Sequence, residues 1–565
     1  MMSRLRELSI SLYGIGAFVI IVLATVLRLL LIAQGYPVTN SDEGTIGLMA
    51  MHIAYRGELP IFFYGQGYMG PFEAYLGAGL FLLFGPSLVS LRLGLVLVFA
   101  FFLLSTYLLT SLLYTKSWAL VMLVLLGMGT DHMLGRELTA MGGYAETLLF
   151  SSGIFFLVSW LALSFRPDLP LPKRRVRFAF YGCWGLLVGL AIWTDVLSGV
   201  FALTAGLLLV RFCWGELRTW AGGCLLLGLL LGTFPMIAYN VIVPFRTLTD
   251  LWNVHHSLTP TTPIVLPFFL QNILGTLLFS LPLTSGAYPL CPLSDVPPFG
   301  PGGSDTVQCV MYHGSWGMGY LALLAIAAVL AIREVRKRWK QYWLTEYVLP
   351  PEERAETIRN FARLMLLVSA GLTLVFYTLS PVAAQTPASS ARYLIGLLVC
   401  APAVLWPLWN GIVALRRKQH LQRFAKGLAA LKGGILLFII TMVLLGTVGT
   451  FSGMSSIETG NQRQAALISE LLRLHDTHIY SEFDTCNRLI FLTREQIICS
   501  VLDTSLRPGV DRYLPYRAIV RSDPHAAYVF PEHSAQAAAF AQKIALSEGQ
   551  YRRFDFDGYV VYKPI

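Results

Sequence analysis

The sequence predicts a polytopic α-helical membrane protein with about eleven transmembrane helices and a small extracytoplasmic α/β domain at its C-terminal end. Composition is the first reason. Of 565 residues, 55% are hydrophobic and only 13% charged, and the mean hydropathy is +0.62. Soluble domains carry about 25% charged residues. Patterning is the second. The apolar residues fall in continuous runs of about 18 or more, whereas the strands of a membrane barrel alternate.

Hydropathy places spans at roughly 10–34, 88–113, 117–131, 146–164, 178–194, 197–212, 220–241, 315–332, 364–380, 392–411 and 433–451. The first apolar run, Leu8 to Ala33, is too long for a signal peptide and lacks a clean cleavage site, so it reads as a span. Residues 71–85 and 264–281 are apolar but short or broken by Pro and Gly. They read as helices in the outer interface.

Charge sets the orientation. Basic clusters at Arg4/Arg6, Lys173–Arg177, Arg333–Lys340 and Arg416–Lys432 all fall in the cytoplasm if the N-terminus is inside and the spans number eleven. The loops left outside hold almost no Lys or Arg: 36–71 has Arg56, 243–314 has Arg246 and 381–391 has none. The net charge of +10 is thereby assigned to cytoplasmic loops, not to nucleic-acid binding. A twelfth span at 264–281 would push two basic loops outside.

Cysteine agrees with this topology. Cys183, Cys213, Cys224 and Cys400 fall in spans or at their ends. Cys291 with Cys309, and Cys486 with Cys499, fall outside as one pair per segment. An oxidising exterior predicts a disulfide in each pair.

From about 455 to 565 the composition becomes that of a soluble domain, so residues 1–454 form the membrane part. Glu458 to Leu474 is helical in pattern, and a second helix covers 484–494. Thr477–Tyr480, Gln496–Leu502 and Ala526–Phe530 read as strands. His533–Leu546 reads as a helix, and Tyr551–Phe556 with Gly558–Tyr562 as a closing hairpin. No phosphate-cradling glycine motif occurs here. His475, His478, His525 and His533 are too scattered for a metal site. No cofactor and no metal is expected.

The segment Thr39-Asn-Ser-Asp-Glu-Gly44 follows the first span directly and puts Asp42 and Glu43 at the outer membrane face. Tyr68 and Glu73 lie shortly after. A second polar cluster follows the third span, with Asp131, Arg136, Glu137 and Glu146. Carboxylates at membrane depth are costly and usually functional. The plain alternative for Asp42 is to cap a helix starting near Thr45. Arg136, Arg392 and Arg28 are candidate holders of a lipid phosphate, and Tyr393 stands beside Arg392. A snorkelling anchor is the plain alternative for Arg392. Arg92, a turn inside the second span, reads as structural. Asp195, between spans five and six, is a weaker site candidate or a turn residue.

Together these motifs resemble the GT-C superfamily of membrane glycosyltransferases, which includes protein O-mannosyltransferases and the aminoarabinose transferase of lipid A. The resemblance runs through Ser41-Asp-Glu43, Tyr68-Met-Gly-Pro-Phe-Glu-Ala-Tyr-Leu, Leu83-Phe-Gly-Pro-Ser, Leu91-Arg-Leu, Gly142-Gly-Tyr-Ala-Glu146 and Ala391-Arg-Tyr-Leu. Ile479-Tyr-Ser and Leu492-Thr-Arg-Glu-Gln-Ile-Ile extend it into the tail. It covers nearly the whole chain, though each motif is short.

The resemblance implies an inverting transfer from a polyprenyl-phosphate sugar to an acceptor hydroxyl on a lipid, glycan or protein, without a sugar nucleotide. Asp42 matches the first-loop catalytic Asp of that family, and Asp131 stands near the place of a second functional acid. Glu43 would orient the loop or a bound group. Asp131, Arg136 and Glu146 would converge on the same cavity. Relatives often carry Pro-Pro or Lys-Pro-Pro in the first loop, where this chain has Met69-Gly-Pro-Phe. The holder of the phosphate therefore stays open. A transporter or flippase of lipid-linked sugars is the rival reading. It predicts paired repeats and mid-membrane charges, and the sequence has neither. A structural subunit is a further rival, and the acidic pocket argues against it.

Overall fold

The computed structural model describes residues 12–165, 171–257, 268–296, 299–344, 350–417, 423–546 and 551–565. Arg4, Arg6 and residues 264–267 and 418–422, all used in the topology argument, lie outside the described residues.

The chain is a multi-pass helical membrane protein. Among the described residues, ten helices are long and apolar enough to cross a membrane, or up to twelve if two bent pairs each count as one span. Helices dominate because a bilayer offers no water to backbone N–H and C=O groups, so each segment must satisfy its own. The bent pairs fall where single runs were expected at 117–131 and 392–411. Lys116–Gly127 turns by 86° into Asp131–Leu138, and Pro387–Leu394 turns by 76° into Leu397–Val413. Met128 is extended at the first break, which stops the helix there. Hydropathy is blind to such a bend because both arms stay apolar. Phe72–Phe84 is a 13-residue helix, shorter than the usual spans. Phe268–Ser285, expected in the interface, is long and apolar enough to count among the ten.

The chain divides into two compact units. The first holds the residues up to Leu27, Val98–Arg136 and Tyr144–Thr450. The second holds Arg28–Leu97, Glu137–Gly143 and Phe451–Ile565.

In the first unit, Leu171–Thr194 and Trp220–Ile242 pack through glycines. A Cβ at Gly185 would stand 2.1 Å from the Leu225 carbonyl oxygen, and one at Gly228 would stand 2.1 Å from that of Gly182. Small residues let helix backbones approach where lipid gives no hydrophobic drive. Cys291 and Cys309 are joined by a disulfide, Cα–Cα 5.9 Å.

In the second unit the tail forms a five-stranded sheet. Its strands are β1 (His478–Ser481), β2 (Ile498–Val501), β3 (Ala527–Pro531), β4 (Tyr551–Phe556) and β5 (Tyr559–Pro564), in the order β2-β1-β3-β5-β4. β1 runs parallel to β2 and β3, and β5 runs antiparallel to β3 and β4. Ile479, Val529, Phe530 and Val561 are buried between the layers. Cys486–Cys499 ties helix Phe483–Leu492 to β2, Cα–Cα 5.4 Å. Helix Pro515–Ser522 was not expected from the sequence.

Candidate functional site

In the second unit the polar cluster is built around helix Ser41–Met51. The helix starts at Ser41, earlier than the sequence suggested, and its N-cap is Asn40. The Glu43 N–H donates to Asn40 Oδ1 at 2.9 Å. The cap is therefore supplied without Asp42, which stands in the first turn. Two glycines bring the helix against Phe483–Leu492. A Cβ at Gly44 would lie 2.5 Å from the Asn487 carbonyl oxygen, and one at Gly47 would lie 2.6 Å from the Phe491 ring. Asn487 Nδ2 donates to Ser41 Oγ at 2.7 Å across the same contact.

Asp42 meets Arg512, with Arg512 Nη2 donating to Asp42 Oδ1 at 2.9 Å. The Asp42 side chain is 24% exposed and that of Arg512 13%. The guanidinium lies over two rings, Phe63 at 4.7 Å and Phe483 at 5.3 Å. Asp484, next to Phe483, has its carboxyl pushed above its ordinary value. Burial is the main cause, and the charges of Glu482 and Asp42 add to it.

Glu43 has a different environment. It is sealed from solvent and accepts from Arg92 Nε at 2.8 Å and Nη2 at 2.6 Å. The Ala140 N–H also approaches its Oε1 at 3.4 Å. Glu73 is buried and accepts from the Gly142 N–H at 3.0 Å. Gly142 and Gly143 are both left-handed, which a side chain would disfavour. Arg28 is buried with Glu137, donating from Nε at 3.2 Å and Nη2 at 2.5 Å. Tyr68 lies half-buried in the loop before Phe72–Phe84.

A second knot sits in the same unit. His52 is buried, with Nδ1 2.9 Å from the Tyr64 hydroxyl and Nε2 3.1 Å from Glu495 Oε1. Tyr516 and Arg56 also donate to Glu495. Burial alone would raise the Glu495 carboxyl. Its hydrogen bonds from His52 and Tyr516, with the nearby charge of Arg56, bring it down to about 2.

The first unit holds the other predicted residues. Asp131 is exposed at the start of Asp131–Leu138. Arg136 Nη2 donates to the Ser389 carbonyl at 3.1 Å. The Arg392 guanidinium lies 5.4 Å from the ring centres of both Tyr144 and Tyr393. Those rings are 6.0 Å apart, and Arg136 and Arg392 are close enough for their charges to interact. Glu146 is fully buried. Asp195 accepts from the Leu197 N–H at 2.9 Å. Burial pushes its carboxyl up to about 7, against that hydrogen bond and the charge of Arg392. An apolar cavity of about 360 Å³ is lined by Leu125, Met133, Trp316, Tyr320, Leu397 and Phe438, among others.

The structure thus joins Arg136 with Arg392, Tyr144 and Tyr393 in one unit. It joins Asp42 with Arg512 in the other. Arg512, Phe63 and Phe483 escaped the sequence reading. Arg512 lies in Asp511-Arg-Tyr513, more than 450 residues from Asp42 in the chain, and no local pattern marks it. Among the described residues, no group of three or more His, Cys, Asp or Glu is placed to hold a metal ion.

The fold is shared with two solved structures. Across 97% of its length the chain is similar to ArnT from Cupriavidus metallidurans, solved with undecaprenyl phosphate, at a TM-score of 0.54 and 14% identity. That match covers 98% of the ArnT chain. The chain is also similar to the oligosaccharyltransferase AglB from Archaeoglobus fulgidus, solved with an inhibitory peptide and a dolichol-phosphate. There the TM-score is 0.51 and the identity 13%, over 97% of this chain and 74% of the other. No family model matches the sequence. No curated protein matches it.

Proposed function

We propose that this protein is an integral-membrane glycosyltransferase. It moves a sugar from a polyprenyl-phosphate donor to an acceptor hydroxyl, with inversion, on the extracytoplasmic face. The observation that carries the reading is Asp42, a partly exposed carboxylate in the first turn of the helix after the first span, held by Arg512 in a GT-C fold.

Asp42 acts as general base on the acceptor hydroxyl. The hydroxyl oxygen attacks the anomeric carbon, the bond from that carbon to the phosphate oxygen breaks, and the polyprenyl phosphate departs with the electron pair. Arg136 and Arg392 hold the departing phosphate, since two guanidiniums side by side suit a dianion. Tyr393 and Tyr68 are assigned to substrate binding, and Glu146 and Asp131 to the reaction as polar groups. Glu43 and Glu73 orient the loops through Arg92 and the Gly142 N–H.

The apolar cavity supports the lipid half of the donor. Met133 stands one turn before Arg136, and Leu397 follows Arg392 by five residues. Each arginine is thus on a segment that also lines an apolar space. The two similar structures hold undecaprenyl phosphate and dolichol-phosphate. The outward face rests on the sparse Lys and Arg in the loops flanking Asp42.

The test is transfer in proteoliposomes from radiolabelled undecaprenyl-phosphoryl pentoses and hexoses, with Asp42→Asn beside wild type. Asn keeps the size and a hydrogen bond to Arg512. Turnover should fall by about 10²–10⁴-fold with an unchanged thermal melt. Full transfer by the variant, or lipid translocation without transfer by the wild type, overturns the reading.

A further inference from the structure

We propose that Arg512 is a positioning residue for the reaction, fixing the Asp42 carboxylate in the orientation that receives the acceptor's proton. The inference rests on the role given to Asp42 above and assigns the C-terminal region a part in the catalytic geometry.

Three layers of contact support it. The first is the bond itself, Arg512 Nη2 to Asp42 Oδ1 at 2.9 Å. A carboxylate at a helix start has free torsions, and a near-attack geometry is lost when the reacting atom strays by about 1 Å. A charge-assisted hydrogen bond restrains those torsions.

The second layer fixes the guanidinium. Phe63, from the first loop, and Phe483, from the start of Phe483–Leu492, both lie within cation–π reach of it. The guanidinium is thereby held by rings from two separate segments. Lysine has no planar fork and cannot stack while donating in this way.

The third layer fixes the backbone on both sides. Asp511 Oδ1 accepts from the Val501 N–H at 2.7 Å, which anchors the segment to β2, and its Oδ2 accepts from Arg517 Nε at 2.6 Å. On the other side the Tyr513 ring packs on His52 at 4.8 Å, and its hydroxyl donates to Glu58 Oε1 at 3.3 Å. Arg512 therefore projects from between two tethered neighbours, as a preorganised support should. A surface ion pair would need none of this.

The experiment uses full-length protein in proteoliposomes with the same labelled donors. Arg512→Ala should cut turnover by about 10²-fold with the donor KM little changed. Millimolar guanidinium should then restore part of the turnover by entering the slot between Phe63 and Phe483, and urea, neutral and of similar shape, should not. Arg512→Lys should stay well below wild type. A second readout needs no turnover: guanidinium should raise the melting temperature of Arg512→Ala and leave that of wild type unmoved. Wild-type turnover in Arg512→Ala overturns the inference, as does equal rescue by urea and guanidinium. Either result leaves the proposed function standing if Asp42→Asn is inactive. Absence of transfer by the wild type strikes that function first.

Discussion

Arg92 and Glu43 form a two-pronged ion pair in which neither side chain is more than 2% exposed. It gives two adjacent acids, Asp42 and Glu43, different environments. Taking one partner away leaves the other charge buried. Glu43→Gln or Arg92→Leu should each cost about 3–5 kcal/mol, with the double variant Glu43→Gln/Arg92→Leu recovering much of it. Thermal melts in detergent check this. Single variants that melt with the wild type would show the pair to be dispensable.

Asn40, not Asp42, caps the helix. Asn40→Ala should lower stability by about 1 kcal/mol while the folded fraction keeps its turnover. Asp42→Ala should retain the cap. If Asp42→Ala destabilised as much as Asn40→Ala, the capping assignment would fail.

Arg136 and Arg392 are assigned to the donor phosphate. A charged hydrogen bond is worth about 1.5–3 kcal/mol, so Arg136→Gln and Arg392→Gln should each raise the donor KM by roughly 10–100-fold. The acceptor KM should move little. A rise confined to the acceptor would reassign them.

Glu495 gives a pH signature. Its ordinary value is 4.5 and its folded value about 2, so the unfolded chain binds the proton first as pH falls. Its stabilising contribution is full above about pH 4.5 and disappears as pH falls towards 2. Glu495→Gln should therefore melt lower than wild type at pH 6, and the gap should narrow as pH falls from about 4.5 towards 2. A gap constant with pH would mean that the carboxylate's charge is not what stabilises the His52 knot.

Sequence and structure divide the credit along a physical line. Apolar runs, basic clusters and the shift to soluble composition near 455 are local or additive properties, so composition and period reveal them. That determined a polytopic helical protein, most of its spans and most of the tail's strands and helices. It also singled out Asp42 as a candidate, because a carboxylate at the membrane face is costly. What needed the tertiary structure was pairing. Glu43 and Asp42 are indistinguishable neighbours until folding buries one against Arg92 and leaves the other half-open beside Arg512. The cap at Asn40, the bends after Gly127 and Leu394 and the short helix Pro515–Ser522 also depend on backbone turns that no hydropathy window senses. Arg512 lies 470 residues from Asp42. Contacts across that separation are decided by packing, with Gly44 and Gly47 drawing one helix onto another, and no single stretch of sequence carries them.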